Sequence, residues 1–172
     1  MSSKNSKSQT IEEIYKKKDV HEHVLSEPDM WMGSIHLDKK ELWVYDGDEM
    51  VKKEIEYIPG LYKIYDEILV NARDHSIRDK TCKNIRVSIN KDTGMIKVWN
   101  DGYGIPTEVH KEYNVYVPEL IFANLLTSAN YDKKGKITGG KNGLGAKLAN
   151  IYSTEFHIET VDSKNKKFYH QK

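Results

Sequence analysis

The run Thr138-Gly139-Gly140-Lys141-Asn142-Gly143-Leu144-Gly145-Ala146-Lys147 sets four glycines and two lysines directly before the apolar stretch Leu148-Ala149-Asn150-Ile151. Glycine lets peptide N–H groups come close to a ligand, and a helix N-terminus adds unpaired donors and partial positive charge. Such a loop suits phosphate. It is not a P-loop: Gly135-Lys136-Ile137-Thr138-Gly139-Gly140-Lys141 has the spacing, but Asn142 stands where a Mg²⁺-binding hydroxyl is needed. The stretch before Gly135 is polar rather than a buried strand, and no G-x-G-x-x-G occurs. Taken alone, such a run is more often a flexible connection than a nucleotide site.

Two further constellations could complete a site. On a helix beginning at Pro59-Gly60 and running from Leu61 to about Asp79, Glu67, Asn71, Asp74 and Arg78 fall on one narrow stripe at 100° per residue. Ile64, Ile68 and Ala72 flank it on one side, Val70 and Ile77 on the other, while Tyr62, Asp66 and Arg73 face water. A polar stripe between apolar flanks reads as the wall of a polar pocket, since carboxylates left there need compensation. Surface pairing at i, i+3 and i, i+4 is the alternative. The third constellation, Asn100-Asp101-Gly102-Tyr103-Gly104, ends a strand with an amide, a carboxylate and two glycines. A flat ligand could slide against bare backbone there; an Asn/Asp-Gly turn is the simpler reading.

The elements that must position these groups follow from periodicity. Thr10 and Glu13 have capping-box spacing for a helix ending near Asp19, and a second helix covers about Asp19 to Leu25. Gly33 marks a turn, and Glu41 to Tyr45 form a strand closed by Asp46-Gly47. Ile85 to Ile89 and Met95 to Trp99 alternate as a hairpin. Pro118 starts a helix over Glu119 to Leu126, Ser153 to Thr160 reads as a strand with His157 outward, and Lys167-Phe168-Tyr169 begins another. Met1 to Gln9 is too polar to fold alone and reads as a mobile arm preceding one domain over residues 10–172.

Composition narrows the classes. With 27 basic and 26 acidic residues the net charge is +1, which gives no bulk electrostatic case for nucleic acid or membrane. The hydrophobic content of 38% is enough for one core. A lone Cys82 excludes an internal disulfide, points to a reducing compartment and reads as a half-buried packing residue. No membrane-spanning or secretory segment is visible.

In this order, the helix motif Glu67-Ile68-Leu69-Val70-Asn71, the strand end Asn100 to Gly104 and the loop Gly139 to Lys147 resemble the ATP site of the superfamily of DNA gyrase, a heat-shock chaperone, sensor histidine kinases and mismatch-repair ATPases. The chain is more closely similar to the N-terminal ATPase domains of eukaryotic-type DNA topoisomerase II. Pro28 to Ser34, Pro59 to Ala72, Leu125 to Tyr131 and Thr138 to Ser153 are the runs that carry that likeness.

The resemblance implies an α/β two-layer sandwich of the Bergerat type, helices on one face of a mixed sheet, binding ATP with Mg²⁺. By it, Glu67 is the general base, Asn71 the Mg²⁺ ligand, and Asn100 the adenine reader, with Asp101, Gly102 and Gly104 beside the base. Ser128, Ala129 and Asn130 correspond to the ribose contacts, Ala129 replacing a hydroxyl residue. Gly140, Lys141, Asn142, Gly143, Leu144, Gly145, Ala146 and Lys147 wrap the phosphates; Lys141 stands for a more usual Arg, and His75 for a more usual Asn. The implied partners are ATP, DNA through a complete protein, and a second copy on ATP binding, in the nucleus or at a viral replication site. The chain is expected to stop before the transducer lysine that reaches the γ-phosphate, so that alone it is a poor ATPase. A nucleotide-dependent interaction module without turnover is the rival reading.

Overall fold

The computed structural model describes residues 10–125, 127 and 143–172. The expectations for Met1 to Gln9, for Ser128, Ala129 and Asn130, and for Gly140, Lys141 and Asn142 lie outside the described residues.

Two short helices lead in. The first, α1 (Ile11–Ile14), stops a turn earlier than its capping-box spacing predicts. Ile11 and Tyr15 are left largely exposed, so no apolar burial extends the helix through the lysines that follow. Helix α2 (Val20–Ser26) begins where Asp19 caps it, the carboxylate accepting the Glu22 N–H at 2.8 Å. Its Val24 is fully buried, and the Val24 carbonyl accepts the Tyr152 hydroxyl from the far end of the described chain. A single turn, α3 (Pro28–Trp31), follows, and Gly33 makes the expected turn with φ +94°.

Strand β1 (Asp38–Asp46) pairs antiparallel with β2 (Glu49–Tyr57), a partner the sequence reading lacked. The reason is compositional: most of β2 is charged. Its lysines and glutamates meet opposite charges on β1, with Lys39–Glu56 at 2.9 Å, Lys52–Glu41 at 2.6 Å and Lys53–Asp46 at 2.8 Å.

Helix α4 (Pro59–Arg78) is the long element, opened by Pro59 in its first turn. The hairpin β3 (Ile85–Asn90) and β4 (Met95–Asn100) forms in the expected register around Gly94. Helix α5 (Val117–Ala123) ends before Leu126. Thr127 closes the segment that follows, its hydroxyl donating to the Leu120 carbonyl at 2.7 Å and the Asn124 carbonyl at 2.8 Å. Helix α6 (Gly145–Ile151) then packs on α4 and α5.

The last hairpin is β5 (Ile158–Asp162) with β6 (Lys167–Gln171). Strand β5 starts later than the alternation from Ser153 predicts. Ser153 is engaged by α6 instead, its hydroxyl on the Ala149 carbonyl and its N–H on the Asn150 carbonyl. His157 faces outward, immediately before the strand.

The chain is thus α/β, as expected. Within that class, the described strands pair as three antiparallel hairpins, and among them no parallel ladder makes the mixed sheet. The core gathers Ala72 of α4, Ala146, Leu148 and Ala149 of α6, Ile158 of β5, Val24 and Cys82. Cys82 is 6% exposed, more buried than expected.

Candidate functional site

The core helices bring Glu67 to Gly145. The stripe on α4 behaves as a pocket wall over part of its length: Glu67 and Asn71 are half-buried, Asp74 is 1% exposed, and Arg78 emerges into solvent. Gly145 opens α6 directly over the Glu67 side chain. A Cβ there would lie 2.6 Å from Glu67 Cδ and 2.9 Å from Glu67 Cβ, so only glycine fits. Lys63, one turn earlier, donates to Glu67 Oε1 at 2.5 Å, and that hydrogen bond raises the Lys63 pKa against the opposing effect of burial. The amide of Asn71 has no hydrogen-bond partner among the described residues. A carboxylate and an amide at i and i+4 therefore share one half-buried face under the start of α6.

The rest of the described glycine loop splits in two. Gly143 has φ +62° and Leu144 precedes α6, both half-buried. Ala146 and Lys147 turn inward. Lys147 was expected on phosphate; here it is 4% exposed, and its ammonium donates to the Thr127 carbonyl at 2.7 Å. Burial without a counter-charge pushes its pKa down to about 8.

The strand-end motif is bound up in the protein's own contacts. Asn100 donates its amide N–H to the Asp101 carbonyl at 2.9 Å, and the Cys82 thiol also lies in hydrogen-bond contact with its side chain. Asp101 does not face the same way. Its Oδ1 accepts the Lys83 and Asn84 N–H groups at 2.7 and 2.9 Å, and its Oδ2 accepts the Asn84 side chain at 2.7 Å. The Asn84 bonds hold this carboxyl well below the usual range, and the expected place beside a base gives way to the turn before β3.

Gly102 and Gly104, expected to make room for a base, make room for protein. At Gly102 (φ +113°) a Cβ would overlap Asp79 Oδ2 and lie 3.1 Å from His75 Nε2. At Gly104 (φ +78°) it would meet the Val161 carbonyl of β5.

Asp79, Thr160 and Asp162 were not singled out from the sequence. Asp79, just past α4, accepts the Thr81 N–H and hydroxyl on Oδ1 at 2.9 and 2.6 Å, and the Tyr103 N–H on Oδ2 at 2.6 Å. Burial raises its carboxyl, but these hydrogen bonds outweigh that and leave it lowered. Thr160 Oγ1 accepts the Ile105 N–H at 2.9 Å, and Asp162 Oδ2 accepts the Thr107 N–H at 2.9 Å. Backbone donation from Asn165, then Thr107, brings the Asp162 pKa to about 2. The sequence holds no signal for Asp162, whose loop partner is 55 residues away; Asp79 could have been marked by its position closing the α4 ridge. Lys63 had a signal as well, its i, i+4 spacing to Glu67.

Known proteins resemble this chain in sequence and fold. The sequence profile of the histidine kinase-, DNA gyrase B- and HSP90-like ATPase family matches residues 56–169. A DNA topoisomerase 2 of Acanthamoeba polyphaga mimivirus is 55% identical across 98% of this chain and 14% of that protein. The Pisum sativum DNA topoisomerase 2 is 54% identical across 97% of this chain and 12% of that protein. The chain therefore spans a small part of the length of these curated relatives. Among solved structures, the ATPase and transducer domains of DNA topoisomerase II from Balamuthia mandrillaris superpose with a TM-score of 0.91 at 51% identity, over 95% of this chain and 42% of that one. The ATPase region of Saccharomyces cerevisiae topoisomerase II gives 0.88 at 48% identity, over 92% of this chain and 43% of that one.

Proposed function

We propose, from the premise that this chain belongs to the histidine kinase-, DNA gyrase B- and HSP90-like ATPase family, that it is the ATP-hydrolysing module of a type II DNA topoisomerase. One observation carries the reading: Gly145 brings the start of α6 against the Glu67 carboxylate, so the base and the phosphate loop form one site.

In this reading Glu67 accepts the proton of the attacking water. The half-buried position suits a base, and Lys63 orients its Oε1. Asn71 holds Mg²⁺ through its amide oxygen. Its unpartnered amide one turn from Glu67 fits that role. Among the described residues no three His, Cys, Asp or Glu side chains gather as a metal shell, so Asn71 would hold Mg²⁺ together with the nucleotide rather than within an all-protein cage. Bound there, Mg²⁺ neutralises charge on the phosphates. Asn100, with Nδ2 fixed on the Asp101 carbonyl, presents Oδ1 to the exocyclic amine of adenine. Gly143, Leu144, Gly145 and Ala146 bring backbone to the phosphates, and Lys147 exchanges the Thr127 carbonyl for phosphate. Ser128, Ala129 and Asn130 complete the ribose side, and Gly140, Lys141 and Asn142 the lid. DNA and a second, ATP-bound copy are the partners proposed for the whole protein. No described helix is long and apolar enough to cross a membrane.

Single-turnover hydrolysis of radiolabelled ATP tests this. Glu67→Gln keeps the side-chain shape but cannot take the proton, so it should retain nucleotide binding while the rate drops by about 10²–10⁴. An unchanged rate removes Glu67 from the mechanism. Sedimentation with and without a non-hydrolysable ATP analogue tests the pairing of copies.

A further inference from the structure

Glu67, Asn71, His75 and Asp79 follow one another at four-residue steps, so the first three form a single ridge of α4 and Asp79 closes it at the C-cap. The first two bear the proposed base and metal amide. The last grips the loop after β4. Asp79 is 7% exposed, and its Oδ2 takes the Tyr103 N–H at 2.6 Å. Its Oδ1, the oxygen turned away from Tyr103, accepts from the Thr81 N–H and hydroxyl. Nε2 of His75 lies 3.4 Å from Oδ2 and is otherwise without a hydrogen-bond partner. Gly102 admits this approach, because any side chain there would displace the Asp79 carboxylate.

We propose that Asp79 is a positioning residue for base recognition: it fastens the Asn100–Gly104 loop to the ridge that carries Glu67 and Asn71. This rests on the reading of Asn100 as the adenine contact. The twelve residues from Glu67 to Asp79 span roughly 18 Å of helix, so the ridge sets the separation between the water-activating end and the base end. Asn100 itself is held by its own neighbour's carbonyl and by the Cys82 thiol, neither of which belongs to α4. The loop's long-range anchors are Asp79 on the Tyr103 N–H, Ser163 on the Tyr103 carbonyl, and Lys83 with Asn84 on Asp101, while Thr160 and Asp162 hold Ile105 and Thr107 just beyond it. Of these, Asp79 alone belongs to the ridge bearing Glu67.

The test compares ligands that do and do not carry a base. Calorimetric titrations of the chain with ATP, GTP and inorganic tripolyphosphate are run on wild type, Asp79→Asn, Thr81→Val and Asn100→Ala. Asp79→Asn weakens the charge-assisted bond to Tyr103 and should lower ATP affinity about tenfold while tripolyphosphate stays within about twofold. Thr81→Val removes a bond to the other oxygen and should leave ATP affinity within about twofold. Equal losses of ATP and tripolyphosphate in Asp79→Asn would make Asp79 a purely structural residue and overturn the proposal. If Asn100→Ala leaves ATP untouched and wild type binds GTP as well as ATP, the base reading itself fails. If Asn100→Ala loses ATP while Asp79→Asn does not, only the positioning role fails. Should Asp79→Asn not fold, hydrogen exchange on wild type decides. The Tyr103 amide should exchange slowly and slow further with ATP but not with tripolyphosphate; exchange at the unfolded rate, or equal slowing by both ligands, overturns the proposal.

Discussion

The two ends of the site are built on opposite plans. At the base end, the carboxylates are satisfied by the protein itself: Asp79 by Thr81 and Tyr103, Asp101 by Lys83 and Asn84, Asp162 by Thr107 and Asn165. Each of the three is held in its ionised form as a result. At the proposed phosphate end, polar groups are short of partners among the described residues. There, Lys147 is buried on one carbonyl, Asn71 has an idle amide, and Glu67 meets a single lysine beneath a glycine. Saturated hydrogen bonding gives a fixed platform; under-satisfied charge costs stability until a ligand compensates it. The base end is ready-made, whereas the phosphate end holds its chemistry in reserve.

The sharpest way to break this contrast is Gly145→Ala. The added methyl overlaps the Glu67 carboxylate, so the side chain or the start of α6 must shift. Overpacking should cost about 1–3 kcal/mol of stability, and displacing the base by about 1 Å should lower single-turnover hydrolysis on the order of 10²-fold. A variant with wild-type rate would mean that Gly145 and Glu67 do not act together.

Lys147→Met should separate stability from binding. Removing a buried ammonium raises the melting temperature at pH 7, while the loss of a charged donor lowers ATP affinity by about tenfold or more. The pH dependence follows. The wild-type lysine has its pKa lowered to about 8 by burial, from an ordinary 10.5. Between those values the unfolded chain binds more protons than the folded one, so stability rises with pH over that window. Thermal melts from pH 7 to 10.5 should show wild type gaining on Lys147→Met; parallel curves would mean that the ammonium is not desolvated.

The smallest effect belongs to the base end. Asp162 has its pKa lowered from 3.8 to about 2, so it stabilises the fold above pH 3.8 and that contribution is lost as pH falls towards 2. Asp162→Asn should lose the acid sensitivity within that window and be slightly less stable at pH 7. Acid titrations followed by circular dichroism read the difference, and coincident acid limbs would remove Asp162 from the anchor.

What was legible in the sequence divides along the same line. Helix α4, the β3–β4 hairpin and the phosphate loop's entry into α6 were readable because their signals are local: apolar spacing, alternating residues, glycines before an apolar run. The pairing of Glu67 with Asn71 was readable for the same reason. Strand β2 was not, since its stability comes from charges on a strand whose partner supplies their complement. The direction of Asp101 was not either, because Asn84 lies 17 residues away and no periodicity links them. Gly102 and Gly104 were read as room for a flat ligand, whereas the neighbours that crowd them are Asp79 and β5, which no local pattern announces. The roles given to Ser128, Ala129, Asn130, Gly140, Lys141 and Asn142 concern residues outside those described.

The tie between Tyr152 and Val24 has a mechanical consequence. Helix α6 starts in close contact with the Glu67 side chain and is tied at its C-cap by the Tyr152 hydroxyl on the Val24 carbonyl. Its seven residues make a stiff rod roughly 10 Å long. A rod that short transmits a push with almost no bending. A shift of α2 should therefore be felt through α6 at the Glu67 carboxylate, the group proposed as the general base.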